Sequence, residues 1–231
     1  MLELFPEGFE EIEVGGEIEF AAYTSPGGEE RLWLAFGPGA AREVAPDWAD
    51  AWRRFHRPVR IGPLWIGPPW EAPDDDAVAV VVDPGRAFGT GAHATTRLCL
   101  ELLLEVEPTS CLDLGCGSGV LAIAAAKLGF APVAALDSDD AAVEAARLNV
   151  AANAVDVHVR RADVLAGVLP PAQVAAANIT RADVERIAAR LDSHVLIASG
   201  YLAAERAALP GWRQADRREA EGWAADLLVR A

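Results

Sequence analysis

Three glycines at alternate positions, Gly115, Gly117 and Gly119, follow the apolar run "TSCLDL" and precede the Ala-rich stretch "VLAIAAAKLG". Glycine lets a backbone turn tightly and lets a ligand approach closely, so a loop of this kind between strand and helix suits a nucleotide-like ligand. The spacing departs from the dinucleotide fingerprint. Where that pattern wants its third glycine, this chain has Val120. Asp113 stands before the first glycine, giving D-x-G-x-G-x-G. A carboxylate there can reach an ammonium group, which the methionine part of S-adenosylmethionine has and a dinucleotide lacks. Further on, Asp137 closes "PVAALD", where an acid can accept both hydroxyls of a ribose. Asp163 follows the next strand in "RADV", a place where an acid meets an adenine amino group, and Asn178 ends "VAAAN". Taken singly, each has a plain structural reading: Asp137 a helix cap, Asp163 a surface acid, Asn178 a turn residue. Their order along successive strands favours S-adenosylmethionine.

The stretch "FGTGAHATT", Phe88 to Thr96, stays open on its residues alone: a phosphate cradle, a metal corner or a flexible turn. His93 as a general base would need a partner and a reachable proton. Its alternative is a loop histidine that bonds backbone and holds the turn. The four histidines are scattered and none clusters with Cys99, Cys111 or Cys116, so no metal site is expected.

The elements that must position these residues alternate. From Ala77 on, apolar runs of strand length ("TSCLDL", "PVAALD", "VDVHV", "QVAAANI", "HVLIAS") exchange with helical stretches over 119–128, 139–153 and 181–191. This is the pattern of βαβ units, with strands buried on both faces of a parallel sheet. "GWRQADRREAEGWAADLLVR" predicts a closing antiparallel pair. The expected fold is α/β, a Rossmann-like, mostly parallel seven-stranded sheet with a small, truncated N-terminal α+β module. The expected division is 1–56 for that module, 57–76 for an extended linker, and 77–231 for the main domain. Within the module, "EIEFAAYT" and "RLWLAF" predict a hairpin and "DWADAWRRFH" a short helix. Five of the seven tryptophans precede residue 75. Trp48, Trp52, Trp65 and Trp70 suit either a partner surface or the core of a small domain.

Composition narrows the function classes. The net charge of −15 disfavours nucleic acid as a direct partner and suits a basic protein, with solubility as the plain alternative. No apolar run approaches a membrane span, and the acidic start "MLELFPEGFEEIEV" lacks the pattern of a signal peptide. Three unpaired cysteines fit the reducing cytoplasm. Lys127 is the only lysine.

With these residues in view, "DPGRAFGTGAHATTRLCLELL", "LDLGCGSGVLAIAAAKLG" and "AANI" resemble the PrmA family, which methylates the large-subunit stalk-base ribosomal protein eleven. The resemblance extends from "DWADAWRRFHRPVRIG" to "ASGYLAAE" and "EGWAADLLVR", about residues 47–231. The F-G-T-G-x-H-x-T-T element is specific to that family; the glycine loop is common to class I methyltransferases. The resemblance implies cofactor contacts from Thr96, Gly115, Asp137 and Asn178. It also implies a cover over the cofactor from Phe88, Gly89 and Thr90, and a catalytic place for Asn178 beside the incoming amine. Residue reading adds Gly117 and Asp163 to the cofactor contacts. Two departures stand out. The segment before Asp47 is shorter than the family's substrate-gripping domain, and Ala94 replaces a common proline. "ANIT" lacks the Pro-Pro-aromatic that enzymes of planar nitrogens use, so an aliphatic amine fits better. The implied activity is protein-lysine N-methylation of a ribosomal protein. Methylation of another basic protein, or cofactor sensing or assembly without catalysis, are the alternatives.

Overall fold

Seven strands form the central sheet, in the order β11-β12-β10-β9-β6-β7-β8. Five run parallel: β6 (Cys111–Leu114), β7 (Val133–Asp137), β8 (His158–Arg161), β9 (Val174–Asn178) and β10 (Val195–Leu202). The last two, β11 (Trp212–Ala220) and β12 (Trp223–Arg230), close it antiparallel. The computed structural model describes residues 10–14, 17–21, 34, 56–84 and 91–231. The chain separates into two compact units, 1–50 and 51–231.

In the first unit, β1 (Glu10–Val14) and β2 (Glu17–Ala21) pair antiparallel. The strand expected from the alternation of Glu17–Thr24 is present over Glu17–Ala21, but its partner precedes it in sequence. Of the segment expected to pair with it, only Leu34 is described, and it is helical. Trp48, Trp52 and the helix expected over 47–56, except His56, lie outside the described residues, as do Phe88, Gly89 and Thr90.

In the second unit the helices are α1 (Ala94–Leu103), α2 (Val120–Lys127), α3 (Asp140–Ala152) and α4 (Arg181–Ala188). The continuous apolar strands are buried as their composition demands: Leu112, Leu114, Leu136, Ala175, Ala177, Leu196 and Ala198 are fully enclosed. Helices covering both faces leave no solvated side to these strands.

The segment 57–76, expected to be an extended linker, is not one. Its residues form β3 (Val59–Ile61) and β4 (Leu64–Gly67), which join β5 (Val78–Val81) in a separate three-stranded sheet. Gly62 and Pro63 join β3 to β4, with Ile61 opposite Leu64 and Gly62 at φ 52°. The same Gly-Pro pair that suggests a linker is therefore a hairpin turn. All four residues of β4 are buried, Trp65 among them, so this tryptophan is core and not partner surface. Among the described residues, no helix is long and apolar enough to cross a membrane.

Candidate functional site

Strand order reverses between β6 and β9: from β6 the chain proceeds outward through β7 and β8, then crosses to β9 on the other side. Such a switch point leaves a crevice at the carboxyl ends of the strands, where ligands bind in open α/β sheets. Register puts the expected residues at one level there. Leu114 lies opposite both Leu136 and Ala177, so Gly115, Asp137 and Asn178, each one residue further on, share the rim. Asp137 lies opposite Arg161, two residues before Asp163. A cleft of about 510 Å³ opens at this point, within the usual range for small-molecule sites. Thr96, Asp113, Gly115, Gly117, Asp137, Asp163 and Asn178 all line it.

The acids are held by backbone donors. Asp137 Oδ2 accepts from the Gly117 N–H at 2.9 Å, and its Oδ1 from the Asp139 N–H at 3.0 Å. One carboxylate thus fixes the glycine loop against the start of α3, while each oxygen keeps a lone pair for a ligand. Asp163 Oδ1 accepts from the Leu165 N–H at 2.8 Å. Asp113 does two things at once. It lines the cleft, yet it is only 1% exposed, and its Oδ2 accepts from the Ala122 N–H at 3.1 Å. Helix α2 begins after Gly119, which has no side chain to cap it. The carboxylate on the preceding strand satisfies one of the amides that such a helix start leaves orphaned. Burial pushes the Asp113 carboxyl up to about 7; the Ala122 amide opposes this and the nearby Asp137 adds to it.

Thr96 sits in the first turn of α1, fully buried, and its Oγ1 accepts from Asn178 Nδ2 at 3.4 Å. This bond engages the amide nitrogen of Asn178, a residue of the cleft lining, and leaves Oδ1 as its acceptor atom. His93 caps α1: its ring nitrogen accepts from the Thr95 N–H at 3.3 Å and lies 2.8 Å from Thr95 Oγ1, and the ring meets Trp223 edge-on at 5.1 Å. Arg97 donates to the Ala92 carbonyl and to Glu221 in the β11–β12 turn. The histidine therefore organises the helix start, as its scaffold reading expects. Gly91, the last residue of the F-G-T-G element, is buried with φ 88°; a Cβ there would lie 2.4 Å from Ile66 on β4.

Sequence reasoning missed Asp183, which lines the cleft together with Ile179, the residue that follows Asn178. Ile179 crosses above the crevice. A Cβ at Gly115 would lie 2.5 Å from its Cγ2, and one at Gly200 would lie 2.0 Å from its carbonyl oxygen. "ASGY" carried the signal, since Gly200 stands at φ 97° in a bulge of β10. Asp183 pairs with the Thr180 hydroxyl at 2.7 Å in a capping arrangement at the start of α4.

Among the described residues the lining includes five carboxylates, those of Asp113, Asp137, Asp139, Asp163 and Asp183, and no Lys, Arg or His. A pyrophosphate would face five carboxylates with no basic side chain among the described lining to offset them. A ligand with cationic groups and a polar sugar fits: the buried Asp113 gains a partner, and Asp137 retains acceptors for hydroxyls.

Comparison with known proteins agrees with this chemistry. The family described as ribosomal protein L11 methyltransferase (PrmA) matches residues 40–225. A ribosomal protein L11 methyltransferase of Symbiobacterium thermophilum is 40% identical over 200 residues, covering 80% of this chain and 66% of the relative. The crystal structure of a ribosomal protein L11 methylase from Lactobacillus delbrueckii subsp. bulgaricus superposes with a TM-score of 0.68 at 29% identity, covering 76% of this chain and 99% of that one. A Pyrococcus abyssi tRNA (uracil-54, C5)-methyltransferase, solved with S-adenosyl-L-homocysteine, shares the fold at a TM-score of 0.54 and 20% identity. The chain spans 66%, 45% and 53% of the lengths of the first three curated relatives it matches.

Proposed function

Since the chain belongs to the ribosomal protein L11 methyltransferase (PrmA) family, we propose that it transfers methyl groups from S-adenosylmethionine to amino groups of ribosomal protein L11, on lysine side chains and an N-terminal amine. The observation that carries this reading is a cleft that presents five carboxylates and, among the described residues, no cation, built at the switch point beside Asn178. When bound, S-adenosylmethionine supplies an activated methyl group on a sulfonium. Asp113 would hold its ammonium, Asp137 its ribose hydroxyls and Asp163 its adenine amine, with Gly115 and Gly117 giving the close backbone approach. Phe88, Gly89 and Thr90 would add the cover that the family resemblance implies.

The residues' task toward the acceptor is alignment and desolvation. A free lysine amine, with a pKa of about 10.4, is protonated at neutral pH and cannot attack. Water exclusion in the cleft lowers that value, and Asn178 Oδ1 accepts a hydrogen from the neutral amine. Thr96 holds the Asn178 amide in that orientation. The loop "ANIT" presents Ile179 where enzymes of planar nitrogens present a stacking ring, which favours an aliphatic amine. The acidic surface complements a lysine-rich substrate. Cytoplasmic action, beside the ribosome, belongs to the same proposal.

Incubation of the chain with isotopically labelled S-adenosylmethionine and a mixture of ribosomal proteins, followed by mass spectrometry, tests it. Methyl increments confined to L11 are the expected result. Increments on a different basic protein would move the substrate. Tight cofactor binding with no increment anywhere would convert the chain into a cofactor sensor or assembly factor.

A further inference from the structure

Helix α3 carries two buried asparagines one turn apart, Asn149 and its C-cap Asn153, exposed by 3% and 7%. Both amides bond backbone far along the chain, and Asn153 Nδ2 also donates to the Asn149 carbonyl at 2.8 Å. The Val81 N–H donates to Asn153 Oδ1 at 2.9 Å, and Asn153 Nδ2 donates to the Val81 carbonyl at 2.6 Å. One helical turn up, the Asp83 N–H donates to Asn149 Oδ1 at 3.0 Å. Four helical residues rise about 6.0 Å and two extended residues about 6.7 Å, so the two amides keep step with Val81 and Asp83. Strand β5 is an edge of its sheet, paired only with β4, and the asparagines serve its other edge.

Asn149 then does something that Asn153 does not. Its Nδ2 donates to the Ser118 carbonyl at 2.9 Å, in the middle of the glycine loop. Ser118 stands between Gly117, whose amide holds Asp137, and Gly119, where a Cβ would lie 3.2 Å from Ala146 of the same helix. A single side chain thus connects the segment following β5 to the loop that faces the cleft. We infer that Asn149 is a positioning residue, which fixes the glycine loop for cofactor binding, whereas Asn153 secures β5 and the end of α3 and does not reach that loop. This rests on the cleft being the S-adenosylmethionine site.

Asn149→Asp and Asn153→Asp separate the roles in the full chain. Each keeps the acceptor for its backbone N–H, loses the donor, and sets a carboxylate against a carbonyl. Calorimetry with S-adenosyl-L-homocysteine is expected to show affinity lowered about tenfold or more by Asn149→Asp and by less than about twofold by Asn153→Asp, the scale of a lost buried hydrogen bond in the first case only. Hydrogen exchange reads the same contrast without ligand. The amides of 116–119 exchange faster in Asn149→Asp alone, while those of 78–83 respond in both variants. Should the charged variants fail to fold, Asn149→Ala and Asn153→Ala give the same comparison. Binding by the Asn149 variant within about twofold of the parent, or unchanged exchange in the glycine loop, would overturn the inference. Absence of binding by the parent chain would instead sink the proposed function, and exchange in the glycine loop would still decide the role of Asn149.

Discussion

Two buried aspartates divide the central sheet into regions of different character. Asp226, on β12, is 3% exposed and fully compensated: Arg217 reaches both its oxygens at 3.1 and 2.9 Å, and the Tyr201 hydroxyl donates to it at 2.7 Å. Arg217 in turn donates to the Ala203 and Glu205 carbonyls. Asp113, on β6, is equally buried and faces a cleft with no basic residue among the described residues that line it. A buried charge without a partner is expensive, and proteins rarely keep one without use. The antiparallel end of the sheet has closed its electrostatics within the chain. The parallel part leaves Asp113 open, and in the proposed function a cationic ligand completes it.

The largest expected effect comes from breaking the closed region. Arg217→Met leaves Asp226 buried with Tyr201 alone and should lower stability by about 3–5 kcal/mol. Thermal unfolding would show it, while cofactor affinity of the folded protein stays unchanged. A loss of affinity there would erase the division between the two regions. At the open end, Asp137→Ala removes the proposed ribose acceptor and the bond to the Gly117 N–H that holds the glycine loop. Affinity for S-adenosylmethionine should fall by about 1.5–3 kcal/mol by calorimetry. Unchanged affinity would sink the ribose assignment.

Asp113→Asn sharpens the contrast because its two effects have opposite sign. Folding raises the carboxyl from 3.8 to about 7, so the folded state favours the neutral form. Stability contributed by this group is therefore greatest below about pH 4, falls as pH rises, and the full penalty stands above pH 7. An asparagine can still accept from the Ala122 N–H and carries no charge. The ligand-free variant should gain about 1–3 kcal/mol at pH 8 and little at pH 4, part of the roughly 4 kcal/mol that three pH units represent. Denaturant titration at both pH values checks this. Cofactor affinity should fall in the same variant, and in the parent it should weaken as pH drops below 7, where the carboxyl takes up its proton. A variant that is both less stable at pH 8 and pH-independent in binding would contradict the open-site reading. The smallest effect is expected at His93. His93→Asn keeps a good helix cap and should cost about 1 kcal/mol or less, with turnover nearly intact. A fall in turnover by orders of magnitude would restore the histidine as a base.

The parallel sheet was legible because strands buried on both faces leave continuous apolar runs, and helices between them leave caps such as Asp139 and Thr180. The site was legible through Asp137 and Asn178 because both end strands that the runs already delimit. The second sheet was hidden. Its strands are three or four residues long, and their burial depends on contacts far along the chain, such as Ile66 against Gly91. In the sequence Asp113 reads as a ligand group alone, although Gly119, without a capping side chain, leaves a helix start in need of an acceptor. Asn149 and Asn153 carried a visible signal, two amides four apart in a helix, but their partners lie 66 and 72 residues away.

The common level of Gly115, Asp137 and Asn178 has a thermal consequence. Their heights are set by the hydrogen-bonded register of three central strands and not by the length of any loop. Strands of this kind open only when the whole domain opens. Heating will therefore leave the floor of the cleft undistorted until the cooperative transition, and inactivation will coincide with melting instead of preceding it.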